Sequence, residues 1–139
     1  MRRLPILIVT WLCLAAPVVA QHQDAIFRDY EDMREVLDRM MMNREIENVM
    51  RAFGASDEMT DEQLRTLEMR VRDIFPYDFR HVDVLKVDDM GNGWNRELYA
   101  YWAGTAYIYA TVLYHQREGE LISISFQFNT DIDELIASF

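Results

Sequence analysis

Apolar and polar residues alternate with a period of two in both halves of residues 105–128, which read TAYIYATVLYHQREGELISISFQF. Side chains along a β-strand point to opposite faces in turn, so this pattern predicts a β-hairpin. We expect a three-residue loop at residues 117–119, with Gly119 in the position that requires a positive φ. That loop pairs Tyr114 with Ile122 and gathers the aliphatic side chains of both arms on one buried face.

The same register predicts the two faces of the hairpin. Val112 pairs with Ile124 and Ala110 with Phe126, so Ile124 and Phe126 are predicted to be core residues. The opposite face is then formed by Tyr107, Tyr109, Thr111 and Leu113 from the first arm and Leu121, Ser123 and Ser125 from the second.

Steps of three and four between apolar residues predict two helical segments near the start of the chain. The first spans residues 24–41, and its apolar face is formed by Ile26, Tyr30, Met33, Leu37 and Met40. The acidic and arginine side chains between them are expected to face solvent. The second follows Asn43 and ends at Gly54, and its apolar face is formed by Ile46, Val49, Met50 and Phe53.

A third helix is predicted to begin at Thr60, because Thr60 and Gln63 have the spacing of a capping box. Its apolar face is formed by Leu64, Leu67, Val71 and Ile74, and Pro76 ends it.

Strands are predicted over residues 81–88 and 96–103, with a turn at Gly91–Gly93 between them. A bulge or turn at residues 103–105 precedes the hairpin, because one straight strand over residues 96–115 would be too long. A short helix over residues 130–138, capped by Thr130, closes the chain. Its Ile132, Leu135 and Ile136 are expected to pack inward.

Helices followed by an antiparallel meander predict an α+β fold. The N-terminal helices pack on one face of a curved antiparallel sheet of about four strands, and a short C-terminal helix follows. The helix order, the long hairpin and the ending ISISFQFNTDIDEL at residues 122–135 resemble small exported domains of the NTF2-like or cystatin-like type. Such folds host binding modules, immunity-type proteins and some hydrolases or isomerases, so the resemblance leaves the function open.

The first twenty residues have the three regions of a secretory signal peptide. Arg2 and Arg3 precede an apolar run, and Val18 and Ala20 occupy the small-residue positions before a cleavage site at Gln21. The alternative is a retained membrane anchor, for which the apolar run is short, because a spanning helix needs about 20 residues. We therefore expect residues 21–139 to form a single exported domain without a membrane segment.

Cleavage at Gln21 changes both the charge and the cysteine content. It removes two of the 14 basic residues and none of the 24 acidic ones, so the net charge changes from −10 to −12. It also removes Cys13, the one cysteine of the chain. An exported domain without disulfides fits a bacterial periplasm, and its acidity argues against nucleic acid or anionic membranes as partners.

The sequence assigns no metal site and no cofactor. His22, His81 and His115 each lack a second ligand at metal-binding spacing. A calcium loop at residues 88–99 fails, because Tyr99 stands where the twelfth position requires an acid. Methionines could bind Cu(I) in an exported protein, but core packing is the simpler interpretation of Met33, Met40, Met41, Met42 and Met50.

No catalytic residue is assigned either. The cleaved chain has no thiol and no Gly-x-Ser-x-Gly segment, which argues against nucleophilic catalysis. His115, Asp83 and the tyrosines are the candidates for acid–base chemistry, and His115 is expected beside the solvated hairpin tip.

The predicted function is an exported, non-catalytic binding or protein-interaction domain. The alternatives are an NTF2-like enzyme that acts on a small apolar molecule by acid–base chemistry, and an accessory subunit defined by its partner. The candidate interaction residues are Tyr107 and Tyr109, joined by Tyr99 and Tyr101 if the break at Gly104 preserves the alternation, and His115. Tyrosine is enriched at protein interfaces, so we expect a homodimer or a protein partner on this face.

Overall fold

The computed structural model describes residues 25–139. The elements in chain order are β1 (Ile26–Phe27), α1 (Tyr30–Met42), α2 (Ile46–Ala52), α3 (Asp61–Ile74), β2 (His81–Gly91), β3 (Trp94–Ala103), β4 (Ala106–Arg117), β5 (Glu120–Asn129) and α4 (Ile132–Ile136). The predicted signal peptide, its cleavage site and His22 lie outside the described residues. No helix within residues 25–139 has the length and apolar character needed to cross a membrane.

The strands form one antiparallel sheet in the order β1-β5-β4-β3-β2. The predicted α+β class is therefore confirmed, with five strands where about four were expected. The additional strand is β1, which pairs with β5 through Ile26 and Phe27.

The predicted helix from residue 24 is wrong at its start, because α1 begins only at Tyr30. Asp29 caps the helix: its backbone is extended, and its carboxylate accepts a hydrogen bond from the Asp32 amide at 2.8 Å. The residues before this cap are thus free to pair with β5.

Helices α1 to α3 pack on one face of the sheet, which we call the inner face, and the opposite face is the outer face. Buried inner-face residues of the two central strands are Tyr99, Tyr101, Ile108, Ala110, Val112 and Tyr114. They form one core with buried helix residues that include Met33, Leu37, Met41, Ile46, Val49, Met50, Phe53 and Leu64. The interpretation of Met33, Met41 and Met50 as core residues is confirmed.

The predicted helix boundaries are mostly confirmed. Thr60 and Gln63 form both hydrogen bonds of the capping box, and Gly54 follows α2 with a φ of 72°. The prediction that Ile74 is buried is wrong, because this residue lies in the last turn of α3 and is 62% exposed. In α4 the cap is Asp131 rather than Thr130, and Ile136 is 45% exposed.

The predicted hairpin register is wrong. The strands are joined by a two-residue turn at Glu118-Gly119, so Tyr114 pairs with Ser123 rather than with Ile122. Further from the turn, Val112 pairs with Phe126. The register shifts by one residue between these pairs.

This shift is a β-bulge, and it explains how the two-residue turn is accommodated. The bulge adds Ile124 to β5 without a partner on β4. The inner-face residues of β5 are therefore odd-numbered before the bulge (Leu121 and Ser123) and even-numbered after it (Phe126 and Phe128). Ile124, predicted to be core, is 47% exposed, whereas the core prediction for Phe126 is confirmed. Leu121 and Ser123, predicted on the outer face, are buried on the inner face instead.

The turn between β3 and β4 also decides which tyrosines share a face. Ala103 pairs with Ala106, so the turn contains Gly104 and one further residue. This length pairs Tyr101 with Ile108, and it places Tyr101 on the inner face. The predicted break is thus confirmed as a turn, but it does not place Tyr101 on the face of Tyr107.

The C-terminal segment lies on the outer face. The Arg96 guanidinium donates a hydrogen bond to the Ser138 carbonyl oxygen, and the Lys86 ammonium lies 4.5 Å from the centre of the Phe139 ring. Leu98, Ala100 and Thr111 are buried on this face. The C-terminal segment therefore lies over the middle of the outer face, whereas His81 and Tyr107 at one end of that face are exposed.

Candidate functional site

Four neighbouring aromatic rings lie at one end of the outer face, and we call them the aromatic strip. It consists of His81 from β2, Trp102 from β3, and Tyr107 and Tyr109 from β4. His81 pairs across the strands with Trp102, which pairs with Tyr107. Cross-strand neighbours approach closely enough for their rings to pack, so the pairing itself builds the strip.

The strip is ordered by ring stacking and by one hydrogen bond. The His81 and Trp102 rings are stacked with centroids 4.1 Å apart, and the Tyr107 and Tyr109 rings are nearly parallel at 6.3 Å. Between these pairs, the Trp102 and Tyr107 ring centroids are 5.9 Å apart. The indole Nε1 of Trp102 donates to the Asp83 carboxylate at 2.7 Å.

The strip combines apolar contact area with polar groups at the surface. Tyr107 is 41% exposed and His81 is also exposed, whereas Trp102 and Tyr109 are half-buried. Large rings that keep a hydroxyl or ring nitrogen in water are typical of protein-binding surfaces.

The predicted interaction residues are not all brought together. Tyr107 and Tyr109 share the strip, as expected. The placement of Tyr99 and Tyr101 beside them is wrong, because both are fully buried on the inner face. The cause is the two-residue turn at Gly104, which reverses the parity between β3 and β4.

His115 lies at the opposite end of the outer face from the strip. Its ring stacks on Trp94 with centroids 4.3 Å apart, and its Nε2 lies 3.1 Å from the Asn92 carbonyl oxygen. The neighbouring turn is tightly built, because a Cβ on Gly93 would lie 2.2 Å from the Gln116 carbonyl oxygen. His115 thus packs on the turn that joins β2 to β3.

A second arrangement, on the inner face, is a carboxylate surrounded by tyrosine hydroxyls. Glu97 of β3 is only 3% exposed. Its carboxylate accepts hydrogen bonds from Tyr30 at 2.9 Å, from Tyr114 at 3.2 Å and from Tyr99. A buried carboxylate is costly unless donors compensate it, and these three hydroxyls supply that compensation.

The hydrogen bonds continue along one side of α1. Tyr30, Arg34 and Asp38 are spaced four residues apart, so they lie on the same side of the helix. The Arg34 guanidinium donates to the Tyr30 hydroxyl at 3.2 Å and to the Asp38 carboxylate at 3.0 Å. Asp38 also accepts a hydrogen bond from Tyr101 at 2.7 Å. We call these seven residues the tyrosine–carboxylate network: Tyr30, Arg34, Asp38, Glu97, Tyr99, Tyr101 and Tyr114.

This environment raises the pKa of each tyrosine in the network. Burial is the main cause for Tyr99 and Tyr114, and the negative charge of Glu97 adds to it. Burial and the charge of Asp38 raise the pKa of Tyr101 in the same way. Burial also raises the pKa of Tyr30, although its hydrogen bond from Arg34 acts in the opposite direction.

Arg34 stays charged within the network. Burial acts to lower its pKa, but the hydrogen bonds to Tyr30 and Asp38 outweigh burial and raise it. The guanidinium also lies 4.6 Å from the centre of the Tyr99 ring, which favours a cation over the ring face.

The centre of the network is buried, and the Glu97 side chain within it is only 3% exposed. Three depressions on the described surface are lined by other residues: by the start of α3, by the end of β5 with α4, and by residues 54–58 with Ile124–Phe126. Within residues 25–139, no three or more His, Cys, Asp or Glu side chains are placed to hold a metal ion. The hydrogen bonds from Tyr30 to Glu97 and from Tyr101 to Asp38 join α1 to the sheet, so the network is a polar part of the core.

The sequence contained signals for the residues that the predictions missed. Glu97 alternates with Tyr99 and Tyr101, which is the period of one strand face. Arg34 and Asp38 follow Tyr30 at helical spacing, although Asp38 was expected to face solvent. Trp102 could be assigned to the strip only once the length of the turn at Gly104 was known.

Comparison of the chain with family models, with curated proteins and with solved structures finds no match.

Proposed function

We propose that this chain is an exported, non-catalytic protein-interaction domain that binds its partner through the aromatic strip. The observation that carries the proposal is the contact of four successive rings from three strands, on the face opposite the helices. Export rests on the signal-peptide pattern of residues 1–20, and the absence of cysteine after cleavage favours a bacterial periplasm. The proposed fold type is NTF2-like or cystatin-like, on the order of helices and strands.

The chemistry of the strip favours a partner that presents basic side chains. The chain is acidic, and the Asp83 carboxylate lies beside the strip, where it accepts the hydrogen bond of the Trp102 indole. The faces of tyrosine and tryptophan rings attract cations, and arginine is enriched at interfaces. An arginine or lysine of the partner would thus meet both rings and a carboxylate.

The alternative function is an NTF2-like enzyme that acts on a small apolar molecule by acid–base chemistry. It would draw on Glu97, the one carboxylate on the inner face of β3. Three tyrosine hydroxyls already engage this carboxylate, and none of the three depressions reaches it. These observations support an interaction domain better than an enzyme.

The test is a comparison of partner capture by wild type, Tyr107→Ala/Tyr109→Ala and Tyr77→Ala. Tyr77 is the matched control, because it is 80% exposed and lies outside the strip. Crosslinking in a periplasmic extract of the native host should give a partner with wild type and with Tyr77→Ala. The double variant should lose that partner while its circular dichroism spectrum is unchanged.

Two outcomes would contradict the proposal. Capture of the same proteins by all three chains would leave the strip without a binding role. A small apolar molecule that raises the unfolding temperature, and loses this effect in Glu97→Gln, would favour the enzyme. A second copy is the other candidate occupant of the strip, and light scattering on the double variant tests it directly.

A further inference from the structure

The edge strand β2 exposes apolar side chains beside an unpaired backbone. It has β3 on one side and no strand on the other within residues 25–139. Four apolar residues of β2 are between 43% and 56% exposed, namely Val84, Leu85, Val87 and Met90. An open edge of this kind is a template for pairing with another strand.

A β-bulge in β2 decides which of its side chains share a face. Val84 pairs with Tyr99 and Lys86 with Leu98, so Leu85 is the extra residue. The bulge places Asp83 and Lys86 together on the outer face, although they are three residues apart. By the same shift, Val82 and Val87 both lie on the inner face, opposite Tyr101 and Glu97 respectively.

The resulting pattern is complementary to itself. When a second β2 is placed antiparallel, with the two-fold axis between Val84 and Leu85, Asp83 of each copy faces Lys86 of the other. Val82 then faces Val87, and His81 faces Asp88. Without the bulge, paired residues in this register would lie on opposite faces, and the alignment would be impossible.

We infer that two copies of this chain form a symmetric dimer by antiparallel pairing of their β2 strands. The pairing joins two five-stranded sheets into one and brings Val84, Leu85 and Val87 of each edge against the second copy. The interface contains two Asp83–Lys86 pairs of opposite charge, because a two-fold axis repeats every contact. Lys86 is the one lysine of this acidic chain. In the dimer its positive charge lies opposite the Asp83 carboxylate of the second copy, which offsets the repulsion between the two acidic chains.

The dimer shares His81 and Asp83 of β2 with the proposed partner site, whereas Trp102, Tyr107 and Tyr109 lie on β3 and β4, away from the paired edge. His81 is at the start of β2, so antiparallel pairing places the two aromatic strips at opposite ends of the joined sheet. The inference does not depend on the proposed function: Tyr107→Ala/Tyr109→Ala tests the partner without a change in β2, and the Lys86 variants test the dimer without a change in the strip.

The test uses charge reversal and mixing. Asp83→Lys gives a strand with two lysines at these positions, and Lys86→Asp gives one with two aspartates. Alone, each variant places like charges opposite each other twice, and we expect its dimer dissociation constant to rise at least about tenfold. Mixed in equal amounts, the two variants restore both opposite-charge pairs, so sedimentation velocity should show a heterodimer.

The mixture also controls for local damage by the substitutions. Asp83→Lys removes the acceptor of the Trp102 indole, and Lys86→Asp removes the cation over Phe139. Mixing restores neither contact, so recovery of the dimer isolates the charge pairing. Lys86→Arg keeps the charge and should dimerise like wild type, as should Tyr107→Ala/Tyr109→Ala.

Three results would overturn the inference. A wild type that stays monomeric at its highest soluble concentration would mean that the bulge and charges of β2 protect the edge from pairing. Dimers that persist in both single variants would place the interface elsewhere. A mixture that stays monomeric, with both variants folded by circular dichroism, would exclude this register.

Discussion

Tyr99 and Tyr101 on the inner face are fully buried and donate hydrogen bonds to carboxylates, whereas Tyr107 and Tyr109 on the outer face stack on each other near the surface. The two pairs are neighbours in sequence and lie on adjacent strands. The same residue type thus supports the core on one face and forms a candidate binding surface on the other.

The difference arises from the environment of each face. Helix α1 supplies Asp38 and Arg34 to the inner face, so a hydroxyl there finds a charged partner away from water. The outer face has the C-terminal segment over its middle only, so rings at its end keep contact with solvent. Tyrosine content alone therefore does not identify a binding face, because strand parity decides which tyrosines are available.

The largest expected loss of stability comes from truncating a core residue on the inner face. Truncating a buried phenylalanine costs roughly 3–5 kcal/mol, so Phe126→Ala should lower the free energy of unfolding by about that amount. Ile124→Ala is the matched control on the same strand. Its side chain lies at the bulge and is 47% exposed, so the loss should be well below that of Phe126→Ala.

Urea denaturation followed by fluorescence measures both variants. Equal losses would mean that Ile124 is buried after all, as the alternation of the sequence alone predicted.

The failed prediction for Ile124 shows where periodicity stops being informative. A bulge adds one residue and leaves no mark in the alternating pattern, so the sequence favoured the register that kept all apolar residues together. Ser123 also misled the assignment, because a serine in a strand is usually exposed. Here its hydroxyl donates to the Phe53 carbonyl oxygen at 3.3 Å, which allows it to be buried.

Features with a local physical cause were predictable. The capping box at Thr60, the turn at Gly91–Gly93 and the helix stop at Gly54 each follow from the chemistry of a few adjacent residues. The tyrosine–carboxylate network was not predicted, because it joins α1 to strands that are more than sixty residues away along the chain. The aromatic strip was predicted in part, with Tyr107 and Tyr109 but without Trp102 or a structural partner for His81.

Alkaline pH should lower the free energy of unfolding, because the tyrosines of the tyrosine–carboxylate network keep their protons in the folded state. In the unfolded chain a tyrosine loses its proton near pH 10, whereas Tyr99, Tyr101 and Tyr114 have raised pKa values in the folded state. Above about pH 10 the folded state thus binds more protons than the unfolded state, so stability falls as pH rises. The fall is about 1.4 kcal/mol per pH unit for each tyrosine that keeps its proton in the folded state.

Urea midpoints from about pH 9 to about pH 11 measure this fall. Tyr101→Phe should reduce the slope, because it removes one of the protons that the folded state retains. A flat profile over this range would contradict the buried, protonated state of these tyrosines.

The most direct measurement removes a single hydroxyl from each face and compares the free energies of unfolding of Tyr101→Phe and Tyr107→Phe. The Tyr101 hydroxyl donates to the Asp38 carboxylate at 2.7 Å, and a hydrogen bond to a charged group contributes about 1.5–3 kcal/mol. Tyr107 is 41% exposed, and a surface substitution usually changes stability by less than about 0.5 kcal/mol. We predict a loss of about 2 kcal/mol for Tyr101→Phe and almost none for Tyr107→Phe. Equal losses, or a larger loss for Tyr107→Phe, would contradict the division of tyrosines between a supporting inner face and an available outer face.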